Sequence, residues 1–140
     1  MEAIVPYLNF AGNAKEAFDF YAKALDGQIL FAQTYGESPQ EVTEENRNKI
    51  MHATFKAGDL TLMASDIVDD KFPVVAGTNV SLSLNFTKVE DIDRVFAAMS
   101  EGSQVTMPLA DTFWGAKFGM LTDAFGINWM FNHDYEQKEH

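Results

Sequence analysis

At 140 residues, without cysteine and with a formal charge of −11, the chain suits one domain or two small fused modules. It has no disulfide, thiolate metal site or cysteine nucleophile. The excess of 21 acidic over 10 basic side chains repels nucleic acid and anionic membranes, while 46% hydrophobic residues supply ample core. No run approaches the ~20 apolar residues of a membrane helix, and the N-terminus lacks the form of a signal peptide, so a cytoplasmic protein is expected.

Residues 3–10 read as a strand, with Pro6 marking an edge or bulge. Asn13 and Glu16 have capping-box spacing before Ala14, Ala17, Phe18, Tyr21 and Leu25, which recur at helical intervals, and Gly27 is placed to end that helix. Residues 28–35 alternate as a second strand. Residues 37–48 form a polar loop with four glutamates and one helical turn at 43–46. Residues 50–56 and 60–67 are strands joined by a tight turn at Ala57-Gly58-Asp59. Residues 69–78, with their own Pro and Gly, make a connector.

The second half repeats this order. A strand at 80–87 precedes a helix at 89–100 whose Val89, Ile92, Val95, Phe96 and Met99 share a face. A strand at 104–109 and an aromatic hairpin follow. Asp123-Ala124-Phe125-Gly126 fits a type I turn with glycine left-handed after it. Leu8-Asn9-Phe10 recurs as Leu84-Asn85-Phe86, each leading into a helix. One such βαβββ unit cannot cover its own sheet, so two must associate, within a chain or between chains. The expected organisation is a first module over about 1–68, the connector 69–78, a second module over about 79–133 and a polar tail over 134–140.

In order and spacing, several stretches resemble one family. They are Pro6-Tyr7-Leu8, Gly12-Asn13, Glu16-Ala17, Phe20-Tyr21, His52-Ala53, Leu62-Met63, Ser65-Asp66, Trp114-Gly115, Phe118-Gly119 and Thr122-Asp123 through Phe125-Gly126 to Trp129. The family is the PhnB-like branch of the vicinal oxygen chelate superfamily, which includes glyoxalase I, bleomycin-resistance proteins and extradiol dioxygenases. The resemblance implies an α+β fold: two βαβββ modules forming a U-shaped mixed eight-stranded sheet around a cleft, in a homodimer. Metal-dependent relatives carry His, Glu or Gln on the first and last strands of each module. The matching positions here are Pro6, a place near Ser81, and Met130, a donor set poorly suited to a hard or borderline cation. No metal and no cofactor are therefore expected. The methyltransferase label of the branch finds no Gly-rich loop between strand and helix to support it.

His52, in mid-strand, is either a satisfied structural histidine or a functional one. It needs a partner, and Asp66, one hairpin away, is the first candidate; the pair could do acid/base work. Phe113, Trp114 and Trp129 divide between core and pocket lining. Ser65 adjoins Asp66, and Lys117 is either solvated or set against an anionic ligand. His133 and His140 read as solvated tail residues. Three functions follow: a metal-free small-molecule-binding protein, its cleft lined by His52, Asp66, Trp114 and Trp129 with Phe113, Lys117 and Ser65 also expected to meet the ligand; an enzyme using His52 and Asp66 on a small carbonyl or aromatic substrate; and a dimeric interaction module without a pocket. Metal-dependent glyoxalase or dioxygenase chemistry and methyl transfer are not expected.

Overall fold

The computed structural model describes residues 1–136. Its two compact units, Met1–Val75 and Ala76–His140, divide within the Pro- and Gly-bearing connector. In the first, strands β1 (Tyr7–Phe10), β2 (Gln28–Thr34), β3 (Ile50–Ala57) and β4 (Leu60–Asp66) accompany helix α1 (Ala14–Ala24). The second holds β5 (Leu82–Asn85), α2 (Val89–Ser100), β6 (Gln104–Asp111), β7 (Ala116–Thr122) and β8 (Asn128–Asp134). The strand orders are β1-β4-β3-β2 and β5-β8-β7-β6, so the repeat seen in the sequence is a repeat of topology. In each sheet the first strand pairs parallel with the last, and the remaining pairs are antiparallel.

Each helix covers one face of its own sheet. Ala14, Ala17, Phe18, Tyr21 and Ala24 of α1 are buried, as are Leu8, Phe10, Phe55, Leu62 and Ala64 of the strands. Rings of Phe18, Tyr21, Phe10 and Phe55 meet at 5.5–6.5 Å. Burying each such side chain is worth roughly 1.5–3 kcal/mol. Ile92, Val95, Phe96 and Met99 do the same for the second unit, with Phe96 edge-on to Phe131 at 5.0 Å.

Several local readings change. The ladder of β1 begins at Tyr7 because Pro6 has no N–H to contribute, although the Pro6 carbonyl still accepts from Met63 N at 3.0 Å. Asn13 makes no side-chain cap. That role belongs to the distant Asp66, whose Oδ1 accepts from Gly12 N at 3.1 Å and Ala14 N at 2.9 Å. The left-handed residue ending α1 is Asp26 (φ 55°), not Gly27. Gly27 is needed for a different reason: a Cβ there would lie 2.5 Å from Phe55 Cζ and 2.7 Å from the Lys56 carbonyl. Pro108 is accommodated in the edge strand β6, where the pairing shifts register between Met107 and Ala110.

The expected hairpin turn forms. Gly126 (φ 92°) donates to the Asp123 carbonyl at 3.1 Å, and Asp123 Oδ1 accepts from the amides of Phe125 and Ile127 at 2.9 and 3.0 Å. Among the described residues no helix is long and apolar enough to cross a membrane.

Candidate functional site

The strand alternation that buries Leu8 and Phe10 beneath α1 turns Tyr7 and Asn9 to the other face of the first sheet. Pairing then brings partners to them: Tyr7 lies opposite Met63 and Asn9 opposite Ser65. In β3, Ala53 and Phe55 go to the core while His52 and Thr54 join Tyr7 on the open face. Phe31 and Gln33 of β2 pair with Thr54 and His52. Between Ile50 and His52 the pairing with β2 skips Met51, a β-bulge.

These residues form a connected cluster. The Tyr7 hydroxyl oxygen is 3.0 Å from His52 Nδ1, and it also contacts Ser65 Oγ. Ser65 Oγ in turn donates to the Met51 carbonyl at 2.7 Å. On the far side of the imidazole, Thr54 Oγ1 is 3.4 Å from Nε2. Rings flank His52 as well, Tyr7 at 5.8 Å and Phe31 at 6.1 Å between centroids. Tyr7 is 46% exposed and Phe31 52%, so the cluster is open to an incoming molecule. A separate depression of about 430 Å³ at the far end of the β2–β3 hairpin, lined by Asp26, Gln28 and Lys56, has none of this chemistry.

Asp66 is not the partner of His52. Its side chain is on the helix face of β4 and 1% exposed. Beyond its two bonds to the start of α1, its Oδ2 accepts from Ile50 N at 2.8 Å. It ties α1, β3 and β4 together. Tyr35 donates to the Asp66 carbonyl at 2.8 Å, and burial, then the charge of Asp66, then Tyr7, raises the Tyr35 phenol above its ordinary pKa.

The aromatic hairpin also divides differently from expectation. Trp129 is fully buried, its Nε1 donating to Asp123 Oδ2 at 2.8 Å, so its ring is core and cannot line a pocket. Lys117 faces α2 and ion-pairs with Asp93, so it is already neutralised. Phe113 and Trp114 are 96% and 55% exposed at the β6–β7 turn, edge-on to each other at 5.1 Å. His133 is no tail residue: it lies in β8, buried, its Nδ1 3.0 Å from the Phe86 carbonyl. Its signal was the period-2 spacing after Trp129 and Phe131. His140 lies outside the described residues. Tyr7 was marked in the sequence only by alternation with the buried Leu8, and Phe31, between exposed Leu30 and Ala32, carried no such signal.

On the open face of the second sheet the register is Met107, Met120, Met130, Ser83 across four strands. Met130 thus sits among thioethers and a hydroxyl, while Pro6 contributes only a carbonyl that is already bonded to Met63. Neither position offers donors that fit a hard divalent ion, and no group of three or more His, Cys, Asp or Glu able to hold one occurs among the described residues.

Two βαβββ modules, each a mixed four-stranded sheet under one helix, define the glyoxalase/bleomycin-resistance/dioxygenase fold. A structure of that description from Burkholderia phytofirmans superimposes with a TM-score of 0.64 at 15% identity over 94% of this chain and 98% of its own. Within that fold, the chain belongs to the PhnB-like family described as 3-demethylubiquinone-9 3-methyltransferase, whose sequence model matches residues 2–131. It is similar to protein PA1353 of Pseudomonas aeruginosa, at 42% identity and a TM-score of 0.86 over 96% and 98% of the two chains. It is also similar to a putative 3-demethylubiquinone-9 3-methyltransferase, a PhnB protein, of Bacillus cereus, at 29% identity and a TM-score of 0.76 over 94% and 99%. Protein YjdN of Escherichia coli is 30% identical over 137 residues, 91% of this chain and 92% of the relative.

A methyl-donor cofactor, which the family description implies, also lacks a fitting site at either helix start. The Gly12 and Ala14 amides at α1 are taken by Asp66, and α2 opens with Glu90 and Asp91, which repel a carboxylate or phosphate.

Proposed function

We propose that this protein binds a small molecule, without metal or cofactor, on the open face of its first sheet, with Tyr7, His52 and Ser65 as the polar centre of the site. One observation carries the reading. An exposed tyrosine, a histidine and a serine from three strands are hydrogen-bonded into a single cluster, on a sheet face that the module's own helix does not cover. Residues kept only for packing have no need of such a polar chain in the open. The missing donor set at Pro6, Ser81 and Met130 supports the metal-free part.

The net charge of −11 disfavours nucleic acid and membrane partners, and the lack of cysteine suits the cytoplasm. Exposed Leu30 on edge strand β2, with Val105 and Met107 on edge strand β6, favours a homodimer that covers them. The expected observation is a dimer by light scattering at micromolar concentration.

A second reading makes the same cluster catalytic, His52 serving as acid/base on a small carbonyl or aromatic substrate with Tyr7 in the place expected for Asp66. The 3.0 Å contact of Tyr7 with His52 Nδ1 favours it. The deciding experiment is a thermal-shift screen of small molecules against protein dialysed with chelator. A ligand at 100 times its Kd stabilises by about 2.7 kcal/mol. Retained binding after chelation and loss in His52→Ala are expected. Binding that vanishes with chelator, or survives in His52→Ala, overturns the assignment.

A further inference from the structure

The hydrogen bonds around His52 have only one consistent direction, and that direction selects the ligand. A carbonyl oxygen carries no proton, so the 2.7 Å contact between Ser65 Oγ and the Met51 carbonyl requires the serine to donate. With its proton so used, Ser65 Oγ can only accept from the Tyr7 hydroxyl. The Tyr7 proton is then also committed, and the 3.0 Å contact between Tyr7 and His52 Nδ1 needs a proton on Nδ1. The relay therefore runs from His52 Nδ1–H to Tyr7 to Ser65 to the Met51 carbonyl. In the neutral imidazole this leaves the lone pair on Nε2. The hydrogen-bonding partner there among the described residues, Thr54 Oγ1 at 3.4 Å, makes only a long bond.

We propose that His52 Nε2 is a fixed hydrogen-bond acceptor, so that the site takes neutral, planar molecules carrying an O–H or N–H donor, such as phenols and ring lactams. Tyr7 and Ser65 are its positioning residues. This rests on the ligand site proposed above and adds its chemical class. Planarity follows from the rings of Tyr7 and Phe31 beside the imidazole. Neutrality follows from the surroundings. The register neighbours Asn9, Gln33, Thr54 and Met63 are uncharged. The cation Lys56 lies four residues further along β3, about 13 Å at strand rise. Among the described residues these neighbours give an anion no counter-charge and a cation no carboxylate, Asp66 being on the other face and saturated by amides.

The test has two arms on the whole 140-residue chain. Nitrogen-15 NMR of the imidazole reads the tautomer directly, without ligand: a pyrrole-type Nδ1 and a pyridine-type Nε2 are expected at a pH where His52 is neutral. Tyr7→Phe should lose this pattern. Ser65→Ala should invert it, because the freed Tyr7 hydroxyl then donates to Nδ1 and the proton moves to Nε2. A purely structural Ser65 would leave the tautomer alone. An Nε2–H tautomer in the unaltered protein overturns the proposal.

The second arm titrates phenol, anisole and benzoate while following resonances of Tyr7, His52 and Phe31. Phenol should bind about tenfold more tightly than anisole, which keeps the ring and loses the donor, and more tightly than benzoate. Ser65→Ala should erase the preference over anisole. Equal binding of phenol and anisole, or preference for benzoate, overturns the ligand class while leaving the face as the binding site. If none of the three moves any resonance of the face, the inference and the proposed binding function both fall.

Discussion

The two modules share a topology and are held by different devices. Alignment of Leu8-Asn9-Phe10 with Leu84-Asn85-Phe86, each pairing with its module's last strand, puts Asp66 and His133 in corresponding places. In the first module, that place holds a buried carboxylate joining residues 16 to 54 positions away. In the second it holds an imidazole on the Phe86 carbonyl. The buried carboxylate there is Asp123, which accepts from groups two to six residues off. The open faces differ as well. One presents the Tyr7–His52–Ser65 chain, the other a row of methionines. The same backbone plan thus tolerates a long-range or a local polar anchor, and a polar or an apolar open face. Function follows the side chains and not the topology.

The contrast is most directly broken at the anchors. Asp66→Ala strands three amides, two at the start of α1 and one in β3, and should cost roughly 3–5 kcal/mol. Asp123→Ala leaves two turn amides that water can reach, plus the Trp129 indole, and should cost roughly 2–3 kcal/mol. Urea midpoints decide between them, and equal losses would show that range of contact does not matter here.

A smaller difference is expected at the close-packed glycines. Gly27→Ala drives a methyl against the Lys56 carbonyl and the Phe55 ring, with a cost of about 2–3 kcal/mol. Gly119→Ala meets Phe96 Cε2 at 2.8 Å and the Leu109 backbone at 3.1 Å or more, so a cost nearer 1–2 kcal/mol is expected. The larger loss should again fall in the first module.

Alkaline titration sharpens the comparison further. The Tyr35 phenol is raised in the folded state, so above its ordinary value of about 10 the unfolded chain loses a proton that the folded chain keeps. Stability should therefore be complete below that pH and fall as the pH rises from there toward the folded value. Tyr35→Phe should flatten that fall, as read by denaturation at several alkaline pH values. The smallest effect belongs to the exposed turn of the second module: Trp114→Ala should change stability by less than about 0.5 kcal/mol.

Local chemistry was readable from residue order alone. Helical spacing placed α1 and α2, and alternation placed the strands. The Asp123–Gly126 turn could be written down because its bonds close within four residues. The repeat of Leu-Asn-Phe pointed to two like modules for the same reason: each module repeats a short local code. The resemblance carried by Pro6-Tyr7-Leu8 through Trp129 gave the family, but it left the site open.

What tertiary structure alone decided was which polar groups meet. Nothing in the spacing of Asp66 says that its carboxylate reaches Gly12 and Ala14 instead of His52. Both residues sit in neighbouring strands, and a one-residue difference in alternation sends them to opposite faces. The bulge at Met51 intervenes as well, and pairing across β1, β3 and β4 brings Tyr7 to His52 over 45 residues of chain. Periodicity determines the faces a strand can show. Only the assembled sheet determines who stands beside whom on them, because register is set by the packing of whole strands against the helix.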